Sequence, residues 1–226
     1  MDEVSQSIYV TGCNYLGFQL DTFNIPSKSV FLVKVRYDGT IDWVKWASSA
    51  YQGTGTARIF PGDLHLQDQT SIQWFFSSRD SILFNNQSFA PAAYLMGLQA
   101  DGNLISMVPV MQGVDAIEFS SSEMEHLFVA ESWNDTIFLG DTTFVSIASN
   151  NAIYCKFDTA FQLIWSKVVG ETGLAIPANG TLDLDGSSYC TGMFMNSILI
   201  GNDTFQTLNP SIPDLFLCKF DSLGEL

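Results

Sequence analysis

The chain has 226 residues, 46% of them hydrophobic and 13% aromatic, which is ample material for a buried core and excludes a disordered chain. Nine basic against 24 acidic side chains leave a formal charge of −15 with no Lys/Arg cluster, so a phosphate backbone is repelled and nucleic acid is excluded as a partner. No run approaches the roughly 20 apolar residues of a membrane helix, so no membrane insertion is expected, and the 18 Phe, 7 Tyr and 5 Trp favour strands.

The first predicted strand is Ile8-Tyr9-Val10-Thr11-Gly12. A polar turn closing on Thr-Phe follows (Phe18 to Phe23), then the strand Phe31-Leu32-Val33-Lys34, the turn Asp38-Gly39 and a strand carrying Trp43. Asp-Gly between two apolar runs is a hairpin signal, because Gly accepts the positive φ a tight turn needs. The same series then returns behind an alternating segment, Asp63-Leu64-His65-Leu66. Its landmarks are Ile72-Gln73-Trp74-Phe75-Phe76, Phe84 to Phe89, Tyr94-Leu95-Met96-Gly97, Asp101-Gly102 and Ser106.

A third copy reads Ala116-Ile117-Glu118-Phe119, Leu127-Phe128-Val129-Ala130-Glu131, Leu139 to Phe144, Ile153-Tyr154-Cys155-Lys156, Phe161 and Trp165. The fourth reads Thr181-Leu182-Asp183-Leu184, Ser188-Tyr189-Cys190-Thr191-Gly192, Ile200 to Phe205, Phe216-Leu217-Cys218-Lys219 and Gly224. With Tyr9 set against Gln73, Phe128 and Tyr189, the period is 55 to 64 residues and the units are 1–61, 62–114, 115–179 and 180–226.

That length holds about four short strands plus turns, the content of one propeller blade. The expected fold is therefore all-β, a β-propeller of about four blades, each a four-stranded antiparallel sheet. The alternating segment is expected as the inner strand lining a channel. The Phe after Thr/Ser, the Trp and the Tyr9-type aromatic are expected to fill the layers between blades.

The order Tyr-Val-Thr-Gly, Thr-Phe, an aromatic strand ending in Lys, Asp-Gly or Asp-x-x-Gly, then Trp-x-Lys resembles the SBBP-type β-propeller repeat of bacterial secreted and surface proteins. The best copies are Ile8 to Lys45, with Trp43-Val44-Lys45, and Leu127 to Lys167, with Trp165-Ser166-Lys167. Asp185-Gly186 before Tyr189 fits the family's turn. The second copy departs most, with Gln73, Phe76, Gly97 and Ser106 at motif positions. The resemblance implies a propeller used as a binding or spacer module, extracellular or at the cell surface, and hands over no catalytic residue.

The first unit begins at its second strand and the fourth stops before its Trp strand, so an incomplete ring within a larger multidomain chain is expected. Met1-Asp2-Glu3-Val4 carries no export signal. Cys13, Cys155, Cys190 and Cys218 show no C-x-x-C spacing, and Cys155 and Cys218 read as buried small hydrophobes.

Candidate chemistry is sparse. His65 and His126 could approach a channel with Asp63 or Glu125, but neither has a third ligand at metal spacing. Asp183-Leu184-Asp185-Gly186 is too short a series for a calcium loop and reads as a turn after a strand, so calcium is a minor alternative and no cofactor is expected. Asn86, Asn134, Asn179 and Asn202 head N-x-S/T sequons and read as turn residues. No nucleophile elbow, zinc-protease or phosphate-loop motif occurs. The expectation is a non-catalytic module for a protein or glycan ligand. The alternative is a carbohydrate-active hydrolase or lyase using Asp63, Glu118 and Asp183, at comparable places in three units.

Overall fold

The computed structural model describes residues 6–51, 58–66, 70–121, 125–132, 136–139, 142–145, 151–170 and 173–226. The fold is all-β, with antiparallel sheets and no helix among the described residues. No helix is long and apolar enough to cross a membrane. The chain divides into two compact units, Met1–Gln112 and Gly113–Leu226.

The first unit contains β1 (Ser7–Asn14), β2 (Phe18–Leu20), β3 (Phe23–Ile25), β4 (Ser29–Arg36), β5 (Ile41–Ser49), β6 (Ile59–Leu66), β7 (Ser71–Ser78), β8 (Ile82–Phe84), β9 (Gln87–Phe89), β10 (Ala92–Gln99) and β11 (Leu104–Gln112). One sheet runs β1-β4-β5, and a second runs β6-β7-β10-β11. Two small hairpins, β2-β3 and β8-β9, project from them, and β8 pairs onto the free edge of β5 at Ser48↔Leu83 and Ser49↔Ile82.

Strand periodicity decides what lies between these sheets. Alternate residues of β4, Val30 and Leu32, join Trp43 and Ala47 of β5 in one buried cluster with Ile72, Trp74, Phe76, Tyr94 and Met96 of the second sheet. The opposite residues, Phe31, Val33 and Val35, pack under the β2-β3 hairpin through Leu20, Phe23 and Ile25. Full burial of each large side chain contributes about 1.5–3 kcal/mol. A hydrogen bond from Trp74 Nε1 to Thr11 Oγ1 (2.9 Å) adds direction to that packing.

The second unit contains β12 (Val114–Ser121), β13 (Glu125–Ser132), β14 (Thr136–Leu139), β15 (Thr142–Val145), β16 (Ala152–Asp158), β17 (Leu163–Val169), β18 (Leu174–Leu182), β19 (Ser188–Met195), β20 (Ser197–Ile200), β21 (Asp203–Gln206) and β22 (Asp214–Phe220). The sheets β12-β13-β16-β17 and β18-β19-β22 enclose a cluster in which Leu127, Val129, Tyr154 and Trp165 meet Cys190, Phe194, Phe216 and Phe220. Tyr154 donates its hydroxyl to the Thr191 carbonyl oxygen (2.9 Å).

The glycine closing Tyr-Val-Thr-Gly has a packing reason. A β-carbon on Gly12 would lie 2.9 Å from the Phe31 ring, and one on Gly192 would lie 2.6 Å from Phe216, its cross-strand neighbour.

Several expectations need correction. The turn closing on Thr-Phe is more than a turn: Phe18–Leu20 pairs with Phe23–Ile25, and Ile198↔Phe205 shows the same pairing in the fourth copy. The third copy is displaced by one residue from the sequence alignment. Tyr9, Gln73 and Tyr189 pair with Lys34, Gly97 and Lys219, but the residue opposite Lys156 is Leu127, while Phe128 faces Cys155. Because strand faces alternate, that one-residue slip turns Phe128 to the other side, onto Phe157 at a centroid distance of 4.9 Å. Phe205 is 51% exposed, so it fills no interior layer. The Asp38-Gly39 hairpin forms as expected, with a three-residue loop closed by a bond from Arg36 N–H to the Thr40 oxygen and Gly39 at φ 88°.

Candidate functional site

Of the residues picked out for chemistry, Asp63 lies near enough to act on His65, and the three carboxylates stand on or beside separate strands. Asp63 lies in the bulge before Leu64↔Trp74, Glu118 pairs with Val129, and Asp183 falls beyond the end of β18. Relative to the residues facing Gln73, Leu127 and Tyr189 (His65, Ser120 and Thr181), Asp63 and Glu118 stand two before and Asp183 two after. Asp183 therefore does not share the register of the other two carboxylates.

His126 is buried and its ring stacks on Phe161 (centroids 4.6 Å, interplanar angle 10°), a packing role. His65 is half-buried; burial lowers its pKa, against the raising effect of the Asp63 carboxylate. Among the described residues no group of three His, Cys, Asp or Glu side chains could hold a metal ion.

In the Asp183–Gly186 turn, Asp183 Oδ1 accepts from Leu184 N–H (2.7 Å) and Asp185 Oδ1 from Ser187 N–H (2.8 Å). The Gly186 oxygen accepts from Lys156 Nζ at 2.5 Å. Those oxygens serve the turn and a lysine, the arrangement of a cross-linked hairpin end. Of the sequon residues, Asn86 and Asn202 are exposed in hairpin turns and Asn179 is exposed on β18 opposite Thr191, while Asn134 lies outside the described residues.

Two recurrent arrangements stand in their place. The first is a clasp. Lys34 Nζ donates to the Ala100 oxygen (3.1 Å), and Trp43 Nε1 donates to the same oxygen (3.1 Å). Ala100 precedes Asp101-Gly102 in the next repeat's turn, and Gly102 lies so close that a β-carbon would sit 2.9 Å from the Trp43 ring. In the second unit Lys156 Nζ reaches Ser222 oxygen (3.4 Å), the corresponding carbonyl, and a β-carbon on Gly224 would sit 2.8 Å from Trp165. Lys156 is fully buried and also meets the Glu125 carboxylate at 2.7 Å. Lys and Trp thus grip the backbone turn of the following repeat, with Gly the only residue that fits beneath the indole.

The second arrangement is a groove between a repeat's last strand and the turn of the next hairpin. In the first unit a cavity of about 440 Å³ is lined by Lys45, Trp46 and Ser48 of β5 with Asn85 and Asn86. In the second unit one of about 510 Å³ is lined by Lys167 and Val168 of β17 with Gly201, Asn202 and Asp203. Lys45 and Lys167 are the lysines of Trp-x-Lys, and Asn86 and Asn202 hold matching turn places, so the sequence carried both signals as motif marks rather than as a lining. The volumes suit a small ligand. The first groove is lined by Trp46, a hydroxyl and two amides, while the Lys45 stem lies on the other face of β5, beside Trp43 and 3.0 Å from where a β-carbon on Gly102 would lie. In the second, Glu225 stands 3.7 Å from the Lys167 ammonium. No protein-family model matches the chain, and no curated protein matches its sequence.

Proposed function

We propose that the chain is a non-catalytic binding or scaffold module, a β-propeller of the SBBP-repeat type displayed outside a bacterial cell or on its surface. The observation that carries this reading is the clasp. Lys34 and Trp43 converge on the Ala100 carbonyl in the next repeat, and Lys156 reaches the corresponding Ser222 carbonyl while the Trp165 ring covers Gly224. Residues of that kind hold sheets in series and perform no reaction. Binding falls to the groove beside β5, where a sugar ring can lie against Trp46 while Asn85 and Asn86 hydrogen-bond its hydroxyls. A glycan is the ligand class that suits an indole flanked by amides.

The test is titration of the purified chain with a panel of bacterial and host oligosaccharides, followed by tryptophan fluorescence and calorimetry, beside the Trp46→Ala variant. Saturable binding lost in that variant supports the reading. Saturable binding that survives in Trp46→Ala, or none across the panel at millimolar sugar, overturns the assignment of the groove. The hydrolase or lyase alternative would need two carboxylates at a defined separation, and Asp183, at a register different from that of Asp63 and Glu118, lends it no support.

A further inference from the structure

Cys190 of β19 and Cys218 of β22 are directly opposed in the antiparallel register, with Thr191↔Leu217 on one side and Tyr189↔Lys219 on the other. Opposed residues of an antiparallel pair have Cα atoms about 4.5 or 5.5 Å apart. A disulfide spans Cα separations of about 4.4–6.8 Å. Both side chains lie on the same face, buried in the cluster that contains Tyr154, Phe194 and Phe216. Cys218 Sγ is 3.6 Å from the Cys190 oxygen, and the two thiols hydrogen-bond each other. All four cysteines are free thiols in this structure.

We propose that Cys190 and Cys218 are a covalent cross-link site, closing to a cross-strand disulfide when the protein meets a small-molecule disulfide or an equivalent dithiol oxidant. Direct opposition in the register distinguishes this pair from the other two thiols: Cys13 sits opposite Val30 and Cys155 opposite Phe128 and Ser166. The hydrogen bond from Cys190 also orders the chemistry. It lowers the pKa of Cys218 and raises that of Cys190, so Cys218 is the attacking thiolate. Cys218 displaces one thiolate from the small disulfide and forms a mixed disulfide. Cys190, losing its proton to solvent, then displaces the second. The balance is protein dithiol plus one small disulfide giving protein disulfide plus two small thiols, the protein losing two electrons and two protons. β22 pairs only with β19 among the described residues, so fraying of that edge opens the buried sulfurs to the oxidant.

The inference does not depend on the ligand reading and is tested on the full chain. The reduced protein is incubated with excess oxidised glutathione, quenched in acid, alkylated in denaturant and weighed intact, then digested. The expected result is two alkylatable thiols in place of four, a mass lower by two hydrogen atoms before alkylation, and one cross-linked peptide pair containing Cys190 and Cys218. The oxidised form should melt at a higher temperature than the reduced one, a difference absent in Cys218→Ser. Should that variant not fold, Cys13→Ser/Cys155→Ser retains the pair and after oxidation must show no thiol that alkylates. Four free thiols at equilibrium with the oxidant, a persistent glutathione adduct on Cys218, or a cross-link through another cysteine would each overturn the proposal.

Discussion

Lys156→Met keeps most of the aliphatic stem and removes the ammonium, which isolates the polar half of the clasp. The side chain is fully buried, and its nitrogen serves the Glu125 carboxylate at 2.7 Å, the Gly186 oxygen at 2.5 Å and the Ser222 oxygen at 3.4 Å. Hydrogen bonds to a charged group contribute about 1.5–3 kcal/mol, and removing one partner of a buried ion pair costs about 3–5 kcal/mol. Glu125 keeps 20% of its side-chain surface and can recruit water, so the lower end applies, about 3 kcal/mol. For a chain of this size that corresponds to a fall in Tm of about 6–12 °C. Thermal and urea unfolding, followed by circular dichroism and tryptophan fluorescence, measure it, with Glu125→Gln and the double variant completing a cycle. Lys219→Met is the internal control: its side chain is 48% exposed and its carboxylate partner is 3.9 Å away, so the effect should stay within about 1 kcal/mol. The reasoning fails if Lys156→Met melts with the wild type, or if the cycle shows no coupling between Glu125 and Lys156.

The clasp's glycine and indole make further predictions. Gly102→Ala meets both a left-handed φ of 84° and the Trp43 ring at 2.9 Å, whereas Gly39→Ala meets a φ of 88° with nothing within 4 Å. Gly39→Ala should therefore cost only the left-handed penalty of about 1–2 kcal/mol, and Gly102→Ala clearly more, read as shifts in urea midpoint; equal shifts would remove the indole contact from the account. Trp43→Phe loses the bond to the Ala100 oxygen, while Trp165 Nε1 is buried with no hydrogen-bond partner, so Trp43→Phe should be the more destabilising by about 1 kcal/mol in the same assay. His65 has a folded pKa below its usual 6.5, so the unfolded chain binds more protons as pH falls. Its contribution is present above about pH 6.5 and is lost as pH falls from there through the lower folded value, and His65→Gln should flatten the stability profile in that window.

The strand class and the core were legible because packing acts through side-chain identity at fixed periods. Val30, Leu32, Trp43 and Tyr94 are apolar where the alternation requires it, and they are buried. The register of the third copy was hidden because Leu127 and Phe128 are both apolar and satisfy either face by composition. Only their partners, Lys156 and Cys155, decide which side each takes. Phe161 was placed correctly as the counterpart of Gly39, Gly102 and Gly224, and it adopts their left-handed backbone at φ 58° despite its β-carbon. The stack on His126 gives that ring a fixed seat.

The groove and the clasp escaped a sequence reading for a different reason. A lysine that donates to a main-chain oxygen places no demand on the residue that owns the oxygen, and Ala100 and Ser222 have nothing in common but position. What can be seen is the donors' joint behaviour. Lys34↔Trp43 and Lys156↔Trp165 are cross-strand pairs, and where the lysine is replaced the tryptophan is replaced with it, at Gly97↔Ser106. There Ser106 Oγ stands 2.9 Å from where a β-carbon on Gly97 would lie, leaving no room for a longer side chain without movement of the serine. The pair therefore changes as one element, as expected if both side chains hold one turn; a lysine or a tryptophan restored alone at 97 or 106 should gain less stability than the two restored together.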